Sequence, residues 1–276
     1  MMWKYTHIYL YLIFEYYYLM DKNKKIEDLL KTDVKTIENF NHVFFPTLAL
    51  EIAFKKGLKV DSEIVRIIID DLENNMEGNY LRWSEEYPVD YDSTIAARNV
   101  LSYLDKDSEL PINLFFDEKT NLVHTYFGGI LSKHNNSIDL IVNLRILDYL
   151  VKKETQKEDE KRILLGLENR IRDLEGSVKN VSKYYLSEGF FLWTLSPFGN
   201  ALGIDVQKKA IEASNRSYNK IDLGLLYLAS GDNNILDKYE VGTFDSLDLF
   251  WHPRLNKKFS CPFFDYVVKE SVELKK

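Results

Sequence analysis

Apolar residues recur at helical spacing along most of this chain. Four strongly apolar runs stand out. One begins near Phe45 (Phe-Pro-Thr-Leu-Ala-Leu-Glu-Ile-Ala-Phe) and one near Asp92 (Asp-Ser-Thr-Ile-Ala-Ala-Arg-Asn-Val-Leu). The third begins near Ser137 (Ser-Ile-Asp-Leu-Ile-Val-Asn-Leu-Arg-Ile-Leu) and the fourth near Leu186 (Leu-Ser-Glu-Gly-Phe-Phe-Leu-Trp-Thr-Leu). Their starts lie 47, 45 and 49 residues apart, and a fifth run, Ile221 to Ala229, follows after 35. More polar, charge-flanked helical stretches fall between them: Ser62–Asn74, Lys157–Asp173 and Asp205–Ser217. A period in the forties that alternates apolar with amphipathic helices is the signature of stacked helix pairs. Such pairs build an open solenoid or a closed α/α toroid. In a toroid the inner helices are apolar all round because every face is buried, which matches the division here. Strand-like alternation is confined mainly to Ile112–Phe116 and Leu122–Phe127, with Asp117-Glu118-Lys119-Thr120-Asn121 between them as a hairpin loop.

The predicted fold is therefore all-α: a single α/α toroid of helix pairs over 36–276, with one small β-hairpin insertion and an accessory N-terminal helical segment over 1–35. Inner helices of a toroid run parallel, so their N-terminal ends share one rim. Asp90, Asp92, Asp139 and Asp222 all lie at or near inner-helix starts and are expected at the same mouth. The N-terminal stretch Ile8 to Met20 is apolar but 13 residues long and contains Glu15. A membrane span needs about 20 apolar residues, and no small-residue cleavage site follows. It reads as a packed amphipathic helix. A Tyr-rich surface touching the membrane interface is the alternative. The expected location is the cytoplasm, with peripheral membrane contact under that alternative.

A formal charge of −7 and the absence of a basic cluster argue against nucleic acid as a partner. Cys261 is the single cysteine and the five histidines are scattered, so neither a disulfide framework nor a metal site is expected. Gly128-Gly129 reads as a turn; no Gly-rich loop enters a helix with a following Lys, so no phosphate cradle or cofactor is expected.

Asp90-Tyr91-Asp92-Ser93-Thr94 is the densest candidate chemistry. Acids at a helix start are favoured by free N–H groups and the dipole, so capping alone accounts for them. The surrounding residues carry a family resemblance. Trp83 to Leu104 (Trp-Ser-Glu-Glu-Tyr-Pro-Val-Asp-Tyr-Asp-Ser-Thr-Ile-Ala-Ala-Arg-Asn-Val-Leu-Ser-Tyr-Leu) resembles the Pro-x-Asp-x-Asp-Asp-Thr-x-x-Ala segment of the squalene–hopene cyclase and prenyltransferase-repeat superfamily. Asn136 to Leu150, with Asp139, Asn143, Leu147, Tyr149 and Leu150, is similar to a second segment of its small members. Lys183-Tyr184-Tyr185 is a third, weaker match. The resemblance covers roughly residues 40–230 and implies an α/α toroid.

In class II terpene cyclases of that family the middle Asp of Asp-x-Asp-Asp is a general acid that protonates an alkene or epoxide. The resemblance would give Asp92 that role and make Asp90 the first acid of the motif. Ser93 stands where the family has its last Asp. A carboxylic acid is kept protonated by desolvation and a neighbouring carboxylate, and aromatic faces stabilise a cation. The expected catalytic set is Asp92, Asp90 and Asp139. The expected substrate-binding set is Tyr91, Asn99, Tyr103, Asn143, Tyr184, Tyr185 and Trp193. Asp139 and Asn143, one helical turn apart, equally read as a satisfied polar pair, and the aromatics equally read as core. His134 sits just before the third apolar run, as a surface loop residue or an orienter of Asp92. The implied partner is an apolar isoprenoid. Two other functions stay open: a non-catalytic lipid-binding or protein-interaction toroid, and a carbohydrate-active α/α barrel with paired carboxylates.

Overall fold

The computed structural model describes residues 44–82, 89–106, 111–127, 137–172, 181–182, 184–243, 250–252, 257–259 and 261–276. The expected N-terminal helix, Trp83 to Pro88 of the first motif, Gly128-Gly129, His134, Asn136 and Lys183 lie outside the described residues.

Most of the described chain is helical, as the apolar spacing predicts. Ten α-helices are present among the described residues: α1 Phe44–Lys55, α2 Ser62–Asn75, α3 Tyr91–Tyr103, α4 Leu140–Lys153, α5 Lys157–Arg172, α6 Glu188–Leu195, α7 Val206–Ser214, α8 Lys220–Ser230, α9 Asn233–Val241 and α10 Pro262–Lys275. No described helix is long and apolar enough to cross a membrane. The expected hairpin forms between β3 Phe116–Asp117 and β4 Leu122–Val123, with Phe116 opposite Val123. The sequence predicts one hairpin; three occur among the described residues. The other two join β1 Met76–Glu77 to β2 Tyr80–Leu81, and β5 Phe250–His252 to β6 Lys257–Phe259. Strands of two or three residues are too short to leave a period-2 signal.

Burial explains the division between helices. α1 and α6 are apolar on every side and buried nearly throughout; α6 hides seven of its eight residues, Gly189 to Leu195. α2 buries only Ile64, Ile68, Ile69 and Leu72, one stripe at helical spacing, and turns Arg66 with its partners Glu63 and Asp70 to water. α5 likewise buries Ile163, Leu167 and Ile171 at steps of four.

Packing follows the same division. α1 packs on α3, α3 on α4, α4 on α6, α6 on α8 and α8 on α10, and α10 returns to α1. The cycle of neighbours closes. α2 lies against α1, α5 against α4, α7 against α6 and α8, and α9 against α8 and α7.

Contacts at each end fix the directions. Near the helix starts, Gly189 N–H of α6 donates to Asp222 of α8 at 2.9 Å, and the Phe190 ring meets Phe264 of α10. Near the ends, Lys55 of α1 lies over Trp193 of α6, and Tyr103 of α3 meets Phe54 of α1. Lys275 of α10 reaches the Tyr227 carbonyl of α8 at 3.3 Å. Along α3 and α4, Arg145 meets Asp92 near the start of α3 and Arg98 lies over the Tyr149 ring further on, so all six helices of the cycle run the same way.

The hairpin is held by two small features. Gly166 of α5 faces its turn: a Cβ there would lie 2.6 Å from the Thr120 carbonyl oxygen and 2.8 Å from Leu122 Cδ2. The Asn143 amide of α4 pairs with Val123 as a strand would, accepting from its N–H at 2.7 Å and donating to its carbonyl at 2.9 Å.

Candidate functional site

The starts of α3 and α4 are set by their first acids. Asp90 caps α3, accepting from Ser93 N–H at 2.7 Å. Asp139 caps α4, accepting from Ile141 N–H at 2.9 Å and Val142 N–H at 3.3 Å, while its second oxygen accepts from the Ser182 hydroxyl at 2.6 Å. These caps satisfy helix N–H groups that have no intrahelical partner, each worth about 0.5–2 kcal/mol.

Asp92 is different. It lies one step inside α3 and points into the cycle of helices, where it is buried. One oxygen accepts from Arg145 Nη1 of α4 and the other from the Tyr185 hydroxyl. Arg145 also grips Glu51 of α1, at 2.6 Å from Nη2. Glu51 accepts from Asn99 of α3 at 2.8 Å and pairs with Lys55 at 3.1 Å. Lys55 pairs with Asp148 of α4 at 2.7 Å, and Asp148 with Lys152 at 3.0 Å.

The result is an alternating string running from Asp92 toward the C-terminal ends of α1 and α4. It holds three carboxylates and three cations, and most of them are out of water. Charges are tolerated at such depth only when paired and hydrogen-bonded. Glu51 inside the apolar run of α1 and Arg145 inside that of α4 are explained by each other.

Ionisation separates the two carboxylates that share Arg145. Burial works to raise both. At Glu51, Arg145 and Lys55 together outweigh burial, and its pKa is lowered. At Asp92, burial prevails over Arg145 and the Tyr185 hydroxyl, helped by the negative charge of Glu51, and its pKa is raised. Burial and the Asp92 charge hold the Tyr185 hydroxyl well above its usual range, so it acts as a donor. Burial opposes the charge on Arg145, but Asp92 and Glu51 hold it firmly protonated.

An aromatic file runs beside this string. The Tyr185 ring stacks on Phe190 at 4.9 Å, and Phe190 on Trp193 at 5.8 Å. Lys55 Nζ lies 5.2 Å from the Trp193 ring centre, so file and string meet again at Lys55.

Of the residues singled out in the sequence, Asp92 and Tyr185 meet directly, and Asn99 joins them through Glu51 and Arg145. Trp193 joins through Lys55. Tyr103 belongs to the far end, 42% exposed, under Lys152 and against Phe54. It stands twelve residues beyond Tyr91 on one helix, so it cannot share a wall with Asp92's end. Tyr91 turns away into the hairpin: its hydroxyl donates to the Asn113 carbonyl at 2.7 Å, accepts from Phe115 N–H at 2.8 Å, and its ring stacks on Phe127. Tyr184 faces Ser137. Asn143 spends its amide on Val123 and on the Asp139 carbonyl, so it lines no cavity. Asp90 and Asp139 are caps, not partners of Asp92. The Ser93 hydroxyl is buried with no hydrogen-bond partner among the described residues, and it brings no second charge beside Asp92.

Arg145, Glu51, Lys55 and Asp148 were missed. The available signal was a charge in the middle of each of two apolar runs, Glu51 and Arg145, opposite in sign. Asp92 and Glu51 are the acids brought closest to a shared role. No group of three or more His, Cys, Asp or Glu suited to a metal ion occurs among the described residues. Comparison with protein-family models and with curated proteins finds no match to this chain.

Proposed function

We propose that the chain is a small α/α toroid of the terpenoid-cyclase kind that binds an apolar, isoprenoid-like molecule without turning it over. The closed cycle of six parallel helices, flanked by α2, α5, α7 and α9, supports the toroid. The aromatic file Tyr185–Phe190–Trp193 supports an apolar ligand lying against α6. The observation that carries the non-catalytic reading is the double engagement of Asp92. Arg145 donates to one of its oxygens and Tyr185 to the other. Hydrogen bonds donated to both oxygens favour the charged form, and a carboxylate has no proton to give an alkene.

One observation favours the catalytic alternative. Burial raises Asp92 while the same Arg145 helps to lower Glu51, and carboxyl pairs whose pKa values are pushed apart are a mark of acid–base sites. Under that reading Asp92 is the acid and Glu51 the ionised partner that keeps Arg145 occupied.

Incubation with a linear polyprene such as squalene, followed by native mass spectrometry and product extraction, separates the two. Retained, unconverted ligand is the expected result. A cyclised product that disappears in Asp92→Asn would establish the acid. Neither retention nor product would sink the isoprenoid reading altogether.

A further inference from the structure

Two apolar side chains stand out at the surface. Tyr218 is 78% exposed and Val241 84%, more than any other large apolar residue among the described residues. The less exposed Tyr103 and Phe115 still have ring partners, Phe54 and His124. Single apolar residues in water are ordinary, whereas apolar residues gathered at one place mark a surface that something covers.

Tyr218 and Val241 belong to one rigid patch. Tyr218 stands just before Asn219, the cap of α8, and Val241 ends α9. The two stretches of backbone lie side by side. Thr243 N–H donates to the Tyr218 carbonyl at 3.1 Å, and Lys220 N–H to the Thr243 carbonyl at 2.9 Å. The Thr243 hydroxyl donates to the same Tyr218 carbonyl at 3.2 Å. Gly242 permits the approach: a Cβ there would lie 3.3 Å from the Tyr218 carbonyl oxygen and 3.2 Å from Leu223 Cδ1. A patch held this way loses little freedom when it is covered, so its burial against apolar surface is favourable.

The chain supplies an occupant. Ile8 to Met20 is apolar and Tyr-rich, with Glu15 its one charge, and it joins α1 through the 23 residues from Asp21 to Val43. α1 and α8 run the same way, so Phe44 and Tyr218 stand at the same end of the cycle. In the cycle only α10 separates α1 from α8, and α9 packs on α8. At about 8–10 Å between neighbouring helix axes, the patch lies within roughly 30 Å of Phe44. The joining residues span about 35 Å as a helix and about 75 Å extended, so they reach in either form. A tether of this kind holds the run at an effective concentration on the order of millimolar, which favours it over a second copy of the chain.

We propose that Ile8–Met20 docks on Tyr218 and Val241 of its own chain. The docking covers the start of α8 and the end of α9 and is independent of any ligand along the aromatic file.

The test uses the full chain with the photoreactive p-benzoylphenylalanine in place of Tyr218. Irradiation and peptide mass spectrometry are expected to give crosslinks into residues 8–20. In a mixture of 14N- and 15N-labelled chains, each crosslink is expected to join peptides of one label only. The same probe in place of Lys208, an exposed residue of α7, is expected not to reach that run. In a second arm, the double variant Tyr218→Asp, Val241→Asp is expected to release the run. Tryptic cleavage at Lys22, Lys24 and Lys25 then quickens about tenfold, with helix content by circular dichroism unchanged because both side chains lie outside the core. Crosslinks between different labels would make the patch an interface between copies and overturn the docking. Crosslinks that miss residues 8–20, or an unaltered cleavage rate in the double variant, overturn it as well.

Discussion

Replacing Arg145 by methionine removes the cation shared by Glu51 and Asp92 and keeps much of its apolar bulk. At the 2.6 Å contact with Glu51, the attraction at an effective dielectric of about 20 is roughly 6 kcal/mol before desolvation. Much of that is offset by the cost of burying the ions. Breaking a buried pair by deleting one partner nevertheless costs about 3–5 kcal/mol, because the other charge stays buried. Here two carboxylates are left, with Lys55 still paired to Glu51. The expected loss at pH 7 is about 3–5 kcal/mol, read by urea denaturation.

The pH dependence carries the sharper signature. In the variant the folded-state carboxyl pKa values are pushed above their unfolded values. The folded state then takes up protons first, so its penalty is largest at neutral pH and shrinks as pH falls through the raised pKa. The triple variant Glu51→Gln, Asp92→Asn, Arg145→Met carries no uncompensated acid at these three positions and is expected to recover most of the loss. A single variant less than about 1 kcal/mol from the unaltered protein, or a loss that does not change between pH 7 and pH 5, would refute the buried-pair reasoning.

Other outcomes follow from single contacts. Asn143→Ala leaves Val123 N–H and carbonyl without their amide partner, and a loss of about 2–4 kcal/mol is expected in denaturant melts. Gly166→Ala drives a Cβ into the Thr120 carbonyl and Leu122, and an overpacking cost of about 1–3 kcal/mol should lower the thermal midpoint. Asp92→Asn removes a charge whose burial outweighs its pairing, so it is expected to change stability by less than about 1 kcal/mol. Glu51→Gln removes a carboxylate whose pKa is lowered, and its cost should exceed that of Asp92→Asn when both are measured at pH 7. The stability that Glu51 contributes is present above its unfolded pKa and is lost as pH falls through the lowered one.

Helix positions were legible because burial on one face, or on all, leaves a period in the sequence. The runs near Phe45, Asp92, Ser137 and Leu186 became α1, α3, α4 and α6, and the polar stretches became α2, α5 and α7. The caps were legible too, since Asp90 and Asp139 precede apolar runs in the manner of N-caps. α9 and α10 went unread, although α10 closes the cycle. It starts at Pro262, 42 residues after the start of α8 at Lys220, a step within the period of the apolar runs.

The site was half legible. Asp92, Asn99 and Tyr185 were picked by motif, but motif says nothing of who faces them. Arg145 and Glu51 lie 94 residues apart in sequence, and only the fold joins them. Tyr91 and Asn143 carried the same polar groups as a ligand wall would. What decided their roles was a local demand for backbone partners in the hairpin, and composition does not reveal that.

The central claim is that Asp92 is an ionised, doubly engaged carboxylate. The 13C NMR resonance of its carboxyl carbon, assigned by difference with Asp92→Asn, reports this directly. The ionised chemical shift at pH 7, moving to the protonated one only on acidification, is the predicted result. A protonated Asp92 at pH 7 would contradict it and make the acid-catalysed reading the better one.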